Sequence, residues 1–155
     1  MNNVQTMELG PHLTAIAPDF RVPDHTKRPH DLEDLMGKRG LLLGFVGDIW
    51  QPASMRRILW LQRHAQTFIQ RGVNVALLIH DDVYTVYGFY VSSPTTPDFP
   101  LLADRDAKVH ALFNMARNPG LVILDNNRVI RHKWLMPDER VWPKISELLH
   151  MLEVL

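Results

Sequence analysis

The chain has 155 residues, 46% of them hydrophobic, with 17 Lys plus Arg balanced against 17 Asp plus Glu. That length fits one compact domain with a sizeable core, and the balanced charge gives no electrostatic footprint for nucleic acid or an anionic membrane surface. The chain has no cysteine, which excludes disulfides, thiolate nucleophiles, zinc–thiolate sites and iron–sulfur clusters together.

No apolar run approaches the roughly 20 residues needed to span a bilayer. Met1 to Pro11 lacks a charged stretch followed by an apolar one, so it does not read as a secretory signal. The expected location is therefore cytoplasmic, with no membrane partner. Residues 1–12 read as a loose N-terminal lead and 13–155 as one domain.

Thr14 to Val22 holds a short apolar run and then Pro18-Asp19-Phe20. With Pro23 and Asp24 ending it, this predicts an edge element. Residues 23–31 are polar and read as a loop carrying His25 and His30. Leu41 to Val46 is continuously apolar between Gly40 and Gly47, the pattern of a strand buried on both faces. A turn over Gly47 to Pro52 follows. Ile58, Leu61, Ala65, Phe68 and Ile69 then recur at helical spacing, predicting a helix over 53–71 with Gly72 at its C-terminal cap.

Val73 to Ile79 reads as a second buried strand, parallel to the first because a helix joins them. Asp82 to Val91 predicts a helix capped by Asp82, with Tyr84, Tyr87 and Tyr90 taken as core. Phe99 to Leu102 is extended and 107–113 a short helix. Leu121 to Leu124 and Arg128 to Leu135 make a hairpin, whose tight turn is ascribed to the left-handed tolerance of Asn126-Asn127. Ile145, Leu148, Leu149 and Leu152 mark one face of a last helix, starting between Asp138 and Trp142 with Pro143 suited to its first turn. The element order predicts a three-layer α/β/α sandwich around a mixed sheet.

Several local patterns resemble one family. Phe45 to Ser54, with Trp50-Gln51-Pro52-Ala53-Ser54 at its end, resembles the strand-to-helix junction of thioredoxin-like and peroxiredoxin-like proteins, where Trp-Cys-Pro-x-Cys opens the helix. Ala17-Pro18-Asp19-Phe20 is similar to the opening of the AhpC/TSA antioxidant group, and Phe99-Pro100-Leu101-Leu102-Ala103-Asp104 to its Phe-Pro-Leu-Leu-x-Asp element. Pro119 stands where the thioredoxin fold has its cis-proline. The resemblance implies a thioredoxin-like fold over roughly residues 14–153, thiol-dependent redox activity, and an active site at the helix start.

The reactive positions depart from that family. Matched on Trp50 and Pro52, the two cysteine places fall on Gln51 and Ser54; matched from Asp48 on the peroxidatic loop of larger peroxiredoxins, the place falls on Ala53. A helix N-terminus favours a thiolate through its free N–H groups and dipole. An amide, a methyl or a hydroxyl cannot cycle through a sulfenate, and a serine needs an adjacent base to attack anything. No Gly-x-Ser-x-Gly elbow surrounds Ser54. Ser54 is therefore read as capping the helix or donating to its first turn, and no catalytic residue is expected.

The helix start remains suited to anions. The N–H groups near Ser54 and Met55, with Arg56 and Arg57, could hold a small anion or carboxylate, although both arginines also read as snorkelling on a solvated face. Binding residues expected there are Trp50, Gln51, Ser54, Met55, Arg56 and Pro119. His80-Asp81-Asp82, with Asp104 to Asp106, could take a divalent cation, but Asp82 as a cap is the better reading; no metal and no cofactor are expected. The predicted function is a non-catalytic binding or assembly module, a homodimer with a small anion or protein partner at the former active site. Its rivals are an antioxidant oxidoreductase using a partner's thiol and a ligand-binding enzyme using the same pocket.

Overall fold

The computed structural model describes residues 9–135 and 144–155. Its elements, in chain order, are β1 (Val22–Pro23), β2 (Pro29–His30), α1 (Leu32–Leu35), β3 (Gly40–Gly47), α2 (Pro52–Gln70), β4 (Val73–Ile79), α3 (Val83–Ser92), β5 (Leu101–Ala103), α4 (Lys108–Leu112), β6 (Gly120–Asp125), β7 (Ile130–Leu135) and α5 (Ile145–Glu153). Five strands form one mixed sheet in the order β5-β4-β3-β6-β7. β3 and β5 run parallel to β4, whereas β6 is antiparallel to both β3 and β7.

The central strands are buried on both faces, and alternate side chains feed two separate cores. Leu42 of β3 and Val75, Leu77 and Ile79 of β4 pack with Ile58, Leu61, Ala65 and Phe68 of α2, Val86 of α3, and Leu148 and Leu152 of α5. Leu41, Leu43 and Phe45 of β3 and Ala76 and Leu78 of β4 point the other way, onto Leu32 and Leu35 of α1, Val109 of α4, and Phe20 and Phe113. Each such Val, Leu, Ile or Phe side chain contributes about 1.5–3 kcal/mol of burial, so β3 and β4 anchor all three layers of an α/β/α sandwich.

Local chemistry sets the helix ends. Pro52 occupies the first turn of α2, where its missing N–H costs nothing. Arg71 is the C-cap and Gly72 follows with φ +85°, the left-handed residue that ends a helix. Asp82 caps α3 as expected, its Oδ1 accepting from the Thr85 N–H at 2.8 Å.

Several expectations need correction. Thr14 to Val22 is not a paired edge strand: Ile16 makes one isolated bridge to Val129, and the pairing lies further on, between β1 and β2. Asp24 drives that hairpin. Its Oδ1 accepts from the Thr26 N–H, the Thr26 hydroxyl and the Arg28 N–H, while its Oδ2 meets His30 Nε2 at 2.8 Å. The lead is not loose to residue 12, because Lys133 Nζ donates to the Leu9 and Pro11 carbonyls and Asn114 Nδ2 to that of Gly10. In the β6–β7 turn the left-handed residue is Arg128 (φ +64°), not an asparagine; Asp125 Oδ1 instead accepts from the Asn127 and Val129 N–H groups. Tyr84 and Tyr87 are 71% and 51% exposed rather than core. Helix α5 begins after Lys144, and the expected start between Asp138 and Trp142, with Pro143, lies outside the described residues.

Candidate functional site at the strand-to-helix junction

The junction between β3 and α2 is shaped by a β-bulge. Phe45 pairs with Leu78 and Gly47 with Ile79 on β4, so Val46 has no partner there. A bulge of this kind bends the strand and releases a carbonyl from the ladder. The Ser54 hydroxyl takes up that carbonyl, donating to Val46 O at 3.0 Å, and Ser54 is 1% exposed. Ser54 thus neither caps α2 nor serves its first turn; it ties the helix back to the strand. Gln51 is the N-cap residue and makes no side-chain capping bond. Gly47 follows the bulge with φ +67°, a conformation costly for any residue with a Cβ.

A cavity of about 470 Å³ opens beside this turn, lined by Asp48, Gln51, Ser54, Arg57, His80, Arg117 and Pro119 among others. Of the expected binding residues it gathers Gln51, Ser54 and Pro119, together with Ala53 of the alternative register. Trp50 and Met55 line a different cavity, and Arg56 is exposed and lines neither. The Ser54 and Met55 N–H groups both donate to the Gln51 carbonyl, at 3.0 and 3.3 Å, so they are spent within the turn. Positive charge in the cavity comes from Arg57, which is 3% exposed and does not snorkel, and from exposed Arg117. Every peptide bond among the described residues is trans, including that before Pro119.

Behind the turn lies a buried pair that sequence reading missed. His110 Nδ1 and Asp104 Oδ2 are 2.6 Å apart, and each residue is 2% exposed. Asp104 also accepts from the His110 and Val109 N–H groups at 2.8 and 3.1 Å. Burial pushes the Asp104 carboxyl up, but the hydrogen bonds from the His110 ring and these backbone groups outweigh it and hold the carboxyl below its usual range. On the ring's far side, Nε2 accepts the Gly47 N–H at 3.3 Å. This pattern assigns the ring proton to Nδ1. The Gly47 carbonyl accepts the His80 N–H at 2.9 Å, so Asp104, His110, Gly47 and His80 form one chain bracing the cavity wall.

The cation alternative at His80-Asp81-Asp82 dissolves in this geometry. Asp82 caps α3, Asp81 accepts from the Asp82 N–H, and Asp104 is engaged by His110. Among the described residues no three His, Asp or Glu side chains stand close enough to share a metal. His25 stacks on Tyr90 at 3.8 Å between ring centres, and burial lowers its pKa.

A signal for Arg57 was present in the sequence. It lies four residues before Leu61 and eight before Ala65, on the apolar stripe of α2. The signal for His110 was weaker: an aspartate shortly before a short helix suggests N-terminal capping, but nothing local shows that the ring also turns back to it.

The sequence pattern of the AhpC/TSA family matches residues 13–133. The chain belongs to the AhpC/TSA family. No curated protein matches its sequence. Solved structures of peroxiredoxins share its fold. The yeast mitochondrial 1-Cys peroxiredoxin superposes with a TM-score of 0.79 at 17% identity, over 92% of this chain and 75% of that one. Peroxidoxin BcpB from Mycobacterium tuberculosis gives 0.75 at 19% identity, over 93% and 99% of the two chains. The mitochondrial 2-Cys peroxiredoxin from Plasmodium falciparum gives 0.74 at 18%, over 92% and 93%. This AhpC/TSA-family chain therefore carries a thioredoxin-like peroxiredoxin fold with no cysteine anywhere in it.

Proposed function

We propose that this AhpC/TSA-family protein is a non-catalytic binding module that works as a homodimer, and that the cavity beside Ser54 takes a small carboxylate. The two arginines on the cavity wall, Arg57 and Arg117, carry this reading. Arg57 is 3% exposed on that wall, and in such a low-dielectric setting a charge-assisted hydrogen bond to a carboxylate is stronger than in water. The side chains of Gln51, Asn118 and Arg117 add donors around the same space. Asp48 lies on the same wall and opposes a dianion, which favours a singly charged carboxylate over phosphate. The Ser54 oxygen supports the absence of catalysis. It is committed to Val46 O, and a hydroxyl so engaged is neither deprotonated by a neighbour nor turned towards a substrate.

Titration calorimetry of the purified protein with acetate, and separately with phosphate, tests the binding half. Saturable acetate binding at millimolar concentration is expected, weakened by Arg117→Ala, with phosphate binding less tightly. Absence of saturable binding for both anions, or binding unchanged by Arg117→Ala, would contradict it.

A further inference from the structure

We infer that the ligand of the cavity beside Ser54 is a free amino acid, its carboxylate held by Arg57 and Arg117 and its ammonium group by Asp48; this rests on the carboxylate reading above and names the ligand's second charged group. The walls of that cavity carry both signs of charge, two arginines and one aspartate.

Asp48 is the residue that a plain carboxylate leaves unexplained. Its Oδ1 accepts the Trp50 N–H at 2.9 Å, which fixes the carboxyl group against the turn. That contact is an Asx turn, and an asparagine makes it equally well. The turn therefore needs the oxygen but not the charge. Asp48 is exposed and has no ion-pair partner among the described residues, so nothing on the protein neutralises it. On the wall of a site that takes a carboxylate, such a charge repels the ligand. An ammonium group on the same ligand turns that repulsion into attraction.

The dimensions suit a small molecule bearing both charges. A rounded cavity of about 470 Å³ is roughly 10 Å across, about the Debye length at 0.1 M salt. Charges on its different walls thus act on one small ligand with limited screening between them. The depth is graded as well: Arg57 is 3% exposed, whereas Asp48 is open to solvent. A ligand entering carboxylate first leaves its ammonium near the aspartate. The Gln51 and Asn118 side chains suit both ends, since an amide donates to a carboxylate through its NH2 and accepts from an ammonium through its oxygen. A dianion is opposed by Asp48, and an amine lacking a carboxylate is opposed by both arginines.

Proton–nitrogen NMR titrations of the full chain at neutral pH test the proposal with matched probes: glycine against acetate, β-alanine against propanoate, and γ-aminobutyrate against butanoate. At least one amino acid is expected to bind about three- to fivefold more tightly than its parent acid, the gain of one exposed ion pair, with shifts at the amide groups of Gln51 and Asn118. Asp48→Asn keeps the contact to the Trp50 N–H and removes the charge, and it is expected to erase that gain. If the parent acids bind and no amino acid binds more tightly, or if the gain survives Asp48→Asn, this inference is overturned and the carboxylate reading stands. If neither the acids nor the amino acids bind, both are overturned.

Discussion

Two cavities share the turn from Asp48 to Gln51. Asp48 and Gln51 line the polar one, while Ile49 and Trp50 line the apolar one. Consecutive residues of one short segment thus face opposite surroundings. The polar wall is braced from behind by hydrogen bonds in the interior: Asp104 to His110, His110 to Gly47, Ser54 to Val46. The apolar wall carries Trp50, which is 74% exposed. Groups held rigidly in low dielectric suit recognition of a small charged ligand, and an exposed apolar rim suits docking of another surface. This chain has both features without the sulfur atom that thiol chemistry needs.

The braced polar side and the apolar side should respond differently to substitution. His110→Ala should have the largest effect, destabilising the fold by about 3–5 kcal/mol because it strips the partner from a buried carboxylate; urea unfolding measures it. Trp50→Ala, on the other side, should shift the monomer's unfolding by no more than about 0.5 kcal/mol. The same buried pair sets a pH dependence. The Asp104 carboxyl is held below its usual value, so its contribution is present above the unfolded value of about 3.9 and is lost as pH falls through the folded value. The urea midpoint should therefore drop between pH 5 and pH 2. Asp24, held down by its own hydrogen bonds to Thr26, His30 and Arg28 in spite of the opposing effect of burial, acts in the same direction. Asp104→Asn should flatten part of that slope, and an unaltered slope would mean that Asp104 does not contribute to it.

Ser54→Ala should cost about 1–3 kcal/mol, the penalty for leaving the Val46 carbonyl buried without a donor. A neutral result by thermal unfolding would mean that the bulge does not depend on the hydroxyl. The smallest expected effect has the opposite sign. Gly88→Ala, measured at concentrations where the protein is monomeric, should stabilise α3 by roughly 0.5–1 kcal/mol through helix propensity.

Much of the scaffold was legible because its signals are local and redundant. The apolar runs of β3 and β4, the stripe through Ile58, Leu61, Ala65 and Phe68, and the aspartate ahead of α3 each report one periodicity or one cap. Helix α3 itself shows where that logic stops. Val83 to Ser92 is apolar nearly all round, so no face stands out, and only Val86 is fully buried; nothing in that pattern distinguishes the exposed Tyr84 and Tyr87 from core residues. The site was less legible than the fold. The Val46 bulge depends on register between strands, and the His110 ring reaches Gly47 across 63 positions of sequence. Arg57 was readable by spacing, but the usual habit of arginine argued against burying it.

A turn with an amide (Gln51), a methyl (Ala53) and a hydroxyl (Ser54) in the places of the family's cysteines is expected to pass no electrons. Purified protein, incubated with hydrogen peroxide or an organic hydroperoxide and a thiol or thioredoxin reductant, tests it most directly. Peroxide loss equal to that of a heat-treated control is the predicted result, and reproducible turnover above that control would contradict it.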